Sequence, residues 1–91
     1  MARWHCVAVG RVQGVNYRAR VAESARRYGI VGTVENRSDG TVFIDAQGPV
    51  KILEAFLADV SGPRGLSHPR TVERVSQAAV DPGLLSFEIL R

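Results

Sequence analysis

With 91 residues, 45% hydrophobic and 23% charged, the chain has the length and composition of one ordinary globular domain, residues 1–91. One cysteine, Cys6, excludes an internal disulfide, and no apolar run nears the roughly 20 residues that a membrane-spanning helix needs. Eleven arginines and one lysine against nine acids set a net charge of +3 and a pI near 9.8, which favours an anionic partner.

In chain order, Trp4 to Val9 read as a strand in which Val7 and Val9 alternate with Cys6 and Ala8 until Gly10. Two nearly apolar faces place it centrally in a sheet. Asn16 is the expected N-cap of a helix over Tyr17 to Tyr28, with Tyr17, Val21, Ala25 and Tyr28 on one face and Gly29 as its stop. Val31 to Arg37 and Thr41 to Gln47 read as a hairpin turning at Ser38-Asp39-Gly40, with Val42, Ile44 and Ala46 on a common face. Gly48-Pro49 opens a second helix, proline filling its first position, with Val50, Leu53, Leu57 and Val60 along one side. Beyond the breakers of the next loop, Thr71 to Val80 is a strand with Val72 and Val75 on opposite faces. Asp81-Pro82-Gly83 is a turn, and Phe87 and Ile89 mark a short last strand.

The order β-α-β-β-α-β with one extra strand predicts an α+β fold, a ferredoxin-like split β-α-β sandwich. Its antiparallel sheet of four to five strands would carry two helices on one face. Enzymes, RNA binders and regulatory modules all use this architecture, so it leaves function open. The first residues lack the apolar stretch and cleavage site of a secretory leader, and a cytoplasmic location is expected.

The functional signal lies between the first strand and the first helix. A helix N-terminus carries N–H groups without intrahelical acceptors and about half a positive charge. Gly14 permits backbone angles that other residues avoid, so the amides of Gln13, Gly14, Val15, Asn16, Tyr17 and Arg18 can curve round one oxyanion. Arg18 sits in the first helical turn, where a cation opposes the macrodipole by about 0.3–1 kcal/mol. Its i+3 and i+4 neighbours are Val21 and Ala22, whereas Arg20, Arg26 and Arg27 each have Glu23 within three or four positions. From the residues alone Arg18 is either an anion ligand or a solvated surface side chain, and both readings stay open. The Gly-Lys-Ser/Thr ending of a Walker loop is absent.

The run Gly10-Arg11-Val12-Gln13-Gly14-Val15-Asn16-Tyr17-Arg18 resembles the first signature of the acylphosphatase family. Gly32, Val34, Asn36, Gly40, Val42 and Gly48 are similar in spacing to its second, so the resemblance covers essentially the whole chain. It implies metal-independent hydrolysis of the carboxyl-phosphate bond of a small acyl phosphate, giving a carboxylate and inorganic phosphate. The implied catalytic residues are Arg18, which binds the phosphate together with the loop amides, and Asn36, which orients the water. No cofactor is implied, and inorganic phosphate or sulfate would be a ligand. The chain departs from the family pattern at Thr33, at Glu35 and in a longer connection from Gly62 to Val72. Strand alternation sets Glu35 on the face opposite Asn36.

Other residues carry little chemistry. His5, His68 and Cys6 fit no metal-ligand spacing, and Asp39 reads as a turn former. Asparagine near a turn often bonds its own backbone, which is the bland reading of Asn36. RNA-reading sheets of this architecture carry stacked aromatics, whereas Phe43 is alone here and shares its face with Asp45. A monomer is expected, with neither nucleic acid nor membrane as partner.

Overall fold

The computed structural model describes residues 1–91. Its elements are β1 (Ala2–Arg11), α1 (Tyr17–Arg27), β2 (Val31–Asn36), β3 (Val42–Gly48), α2 (Val50–Ser61), β4 (His68–Ala78) and β5 (Phe87–Leu90). The sheet order is β4-β1-β3-β2-β5, and the two helices pack on it as the ferredoxin-like expectation requires. Strand alternation turns Trp4, Cys6 and Ala8 of β1, Val34 of β2 and Val42, Ile44 and Ala46 of β3 inward. They meet Tyr17, Val21 and Ala25 of α1 and Leu53, Phe56 and Val60 of α2 in one apolar cluster. No helix is long and apolar enough to cross a membrane.

The face of α2 differs from the expected one. Val50 is 46% exposed and Leu57 only partly buried, while Phe56 is fully buried with its ring edge-on to Phe87, centroids 6.3 Å apart. A phenyl ring removes more apolar surface at the helix–sheet seam than valine can, and that difference sets the helix rotation. Pro49 caps α2 in extended geometry, one residue earlier than expected. The buried Tyr17 hydroxyl donates to the Val60 carbonyl at 2.8 Å and so ties α1 to α2.

The sheet is mixed: three pairings are antiparallel as expected, and β2–β5 is parallel, with Gly32 opposite Phe87 and Val34 opposite Ile89. The cause is a short link. β4 ends beside the start of β1, and residues 79–86 run along that end of the sheet instead of climbing back to the other. Gln47 anchors the link, its amide accepting from Asp81 N–H at 2.7 Å and donating to the Asp81 carbonyl at 2.9 Å. As a result β1, β2 and β5 run the same way, and their final residues gather at the end of the sheet where α1 begins.

Cys6 lies fully buried in the middle of β1, and burial pushes its thiol up to about 12. Near neutral pH its thiolate fraction falls roughly 10³-fold below that of an ordinary exposed thiol. Native protein is therefore expected to resist an aromatic disulfide reagent at pH 8, with stoichiometric reaction only in denaturant. Because the folded pKa is raised, this group favours the fold below the unfolded value of 9.0 and ceases to do so as pH climbs toward 12.

Candidate active site

The connection from β1 to α1 has two left-handed residues, Gly14 at φ 71 and Asn16 at φ 62, separated by Val15. Asn16 does occupy the N-cap position, but its side chain accepts no helix N–H. A conventional cap is extended and turns its oxygen onto the first-turn amides; the left-handed geometry here does not. The first main-chain bond of the helix is Arg20 N–H to the Asn16 carbonyl at 3.1 Å, and the N–H groups from Gln13 to Ala19 donate to no main-chain acceptor. Alternating left-handed and ordinary residues aim successive amides into a concavity suited to an anion.

This loop forms one wall of a cavity of about 310 Å³. Gly14, Asn16 and Arg18 meet Asn36 from the end of β2 and Ile89 and Arg91 from the β5 side, and no aspartate or glutamate side chain lines it. Arg18 has no acidic partner within 4.0 Å; one N–H of its guanidinium donates to the Leu90 carbonyl at 2.9 Å. A guanidinium has five N–H donors, so most of the fork stays free for a ligand. The expected pairings of its neighbours hold only for Arg27, 3.8 Å from Glu23 and 2.7 Å from Asp59. Arg20 instead donates to Ser67 Oγ and the Asp59 carbonyl, and Arg26 to the Phe87 carbonyl. An exposed ion pair one helical turn away is worth only about 0.2–0.5 kcal/mol, too little to hold either side chain against buried acceptors.

Asn36 shares its strand face with Val34, while Glu35 lies on the other side of β2, as alternation predicts. The hairpin's local side-chain bonds are made by Asp39, which accepts from Thr41 N–H at 3.0 Å and from its hydroxyl at 2.6 Å. These bonds hold the Asp39 carboxyl below its usual range, and the turn needs nothing from Asn36. On the outer face of the sheet the Arg37 guanidinium covers the Phe43 ring, 4.0 Å from its centroid.

Two contributions were not anticipated from the sequence. The Gln13 side chain donates to both the Arg37 and Thr41 carbonyls at 2.8 Å, fastening the loop to the mouth of the β2–β3 hairpin beside Asn36. β5 supplies the Leu90 carbonyl that steers Arg18 and the Ile89 wall of the cavity. Residue spacing gave no signal for either, since the partners lie 24 to 72 positions apart.

The family model for acylphosphatases matches residues 4–89. The chain belongs to the acylphosphatase family. An acylphosphatase of Cupriavidus pinatubonensis is 41% identical over 88 residues, covering 97% of this chain and 91% of that one. One from Thermus thermophilus is 40% identical over 90 residues, covering 98% and 99%. The crystal structure of the Bacillus subtilis acylphosphatase superposes with a TM-score of 0.91 at 31% identity and full coverage of both chains. The chain is thus a hydrolase of small acyl phosphates, and both signature segments fall within the matched range.

Proposed function

We propose that the amides from Gln13 to Arg18 and the Arg18 guanidinium hold the phosphate of the acyl phosphate, while Asn36 orients the attacking water. The observation that carries this reading is the meeting, in one cavity without acidic side chains, of a loop of unbonded amides, an arginine free of acidic side-chain partners and an asparagine amide. Phosphoryl transfer asks mainly for positioning and for stabilisation of charge on the equatorial oxygens, which amides and one guanidinium supply. The water oxygen forms a bond to phosphorus as the bond to the carboxyl oxygen breaks. The carboxylate leaves without needing a proton, and a phosphate oxygen of the substrate takes the proton from the water. No metal takes part, and the enzyme works as a cytoplasmic monomer.

Hydrolysis of benzoyl phosphate in excess EDTA tests this. Wild type should turn over normally, and Asn36→Ala should lose about 10²-fold in kcat, by analogy with removal of a single preorganised donor. Inhibition by inorganic phosphate should hardly change, because Asn36 acts on water rather than on the bound anion. Equal kcat in the two proteins would reject the role of Asn36, and loss of wild-type turnover in EDTA would reject the metal-free mechanism.

A further inference from the structure

In-line displacement sets the attacking and leaving oxygens on opposite sides of phosphorus. On the reading above Asn36 delivers water from the β2 side of the loop, so the carboxylate must depart on the other side. A second cavity, of about 300 Å³, lies there. It shares only Asn16 and Ala19 with the first and continues along α1 to the Arg64–Ser67 turn, which leads into β4 at the edge of the sheet farthest from β5. We propose that this cavity receives the acyl group of the substrate and that Leu66 makes it selective for compact apolar acyl groups. The proposal rests on the phosphate-site reading of the preceding subsection.

The turn is built to hold its apex still. Arg64 and Ser67 exchange main-chain bonds of 3.0 and 3.1 Å, and the Ser67 hydroxyl donates to the Arg64 carbonyl at 2.8 Å. Arg20, only 9% exposed and with no carboxylate within 4.0 Å, donates to that hydroxyl at 3.0 Å. The same guanidinium donates to the Asp59 carbonyl of α2 at 2.8 Å, so it braces the turn against that helix. Leu66 at the apex is nonetheless 70% exposed, facing a cavity whose apolar floor is Val15 and Ala19. The acid at the rim, Glu23, is engaged by Arg64 at 3.3 Å and Arg27 at 3.8 Å, so it does not repel the departing carboxylate as a free acid would. The volume stands at the small end of ligand cavities, which suits an aryl ring or a short branched chain.

Steady-state kinetics on acetyl phosphate and benzoyl phosphate decide the matter, with wild type, Leu66→Ser, Leu66→Met and Arg18→Ala. Leu66→Ser should raise KM for benzoyl phosphate about tenfold and for acetyl phosphate less than about twofold, the scale on which an apolar pocket discriminates. Leu66→Met should keep the wild-type preference, and inhibition by inorganic phosphate should be the same in all three Leu66 proteins. An equal effect of Leu66→Ser on both substrates, or none on either, would overturn the acyl subsite while leaving the phosphate site standing. Wild-type turnover by Arg18→Ala would overturn the phosphate site, and the subsite with it.

Discussion

Arg18→Ala is expected to lower kcat/KM by about 10²–10³-fold, the scale set by removal of one preorganised donor from developing charge. Inhibition by inorganic phosphate should weaken with it, since on the proposed reading the same fork binds product. Arg18→Lys should restore only part of the loss, because an ammonium cannot present two parallel donors to two phosphate oxygens. The fold should hardly notice either change. Losing the bond to the Leu90 carbonyl costs about 1 kcal/mol. In the alanine variant, removing a cation from the first turn of α1 returns about 0.3–1 kcal/mol. A small shift in thermal midpoint beside a large kinetic defect is the signature of an anion ligand. Full activity in the alanine variant would return Arg18 to the status of a surface residue.

Gly32→Ala should be the most damaging single methyl in the protein. Gly32 sits in β2 at φ 142, and an added Cβ would lie 1.8 Å from the Asp45 carbonyl oxygen and 2.8 Å from its carbon. Both flanks are committed, since Gly32 faces Ala46 in β3 on one side and Phe87 in β5 on the other, and its N–H donates to the Ser86 carbonyl at 2.9 Å. Main chain cannot step aside there without opening a ladder. Overpacking against backbone and an unfavourable φ together should cost at least about 3 kcal/mol, a large share of the 5–15 kcal/mol typical of small domains. Gly40→Ala is the matched control: φ is 89, but nothing lies within 4 Å of its Cβ, so only the conformational cost of about 1–2 kcal/mol remains. Urea denaturation of the two variants should separate them clearly. Equal midpoints would mean that the close approach at Asp45 does not constrain the sheet.

Much of the fold was legible because its determinants are local. Period-two alternation marked β1, β2 and β3, and the glycine and proline breakers marked their ends within a residue or two. The loop before α1 was legible for the same reason: a glycine, a helix start and an arginine without a carboxylate one turn away are features of thirteen consecutive residues, Gly10 to Ala22. Resemblance then added Asn36 from a second short segment, and the structure sets it in the same cavity as Arg18.

What the local pattern could not decide was every choice between distant partners. Arg20 and Arg26 had a nearby acid in Glu23, yet buried acceptors 39 to 61 positions away hold them. Asn16 carried a capping side chain, but the path of the loop made it left-handed and left the amides unbonded. The parallel seating of β5, the Gln13 clamp and the Leu66 turn likewise depend on which chain ends meet. By itself the sequence determined the strands, the helices and a short glycine-bearing loop at a helix start, because those follow from the backbone preferences of neighbouring residues. Only the tertiary structure decided that β5 closes one side of that loop and a serine-braced turn the other, because long-range contacts are chosen by burial and hydrogen bonding that no short window contains.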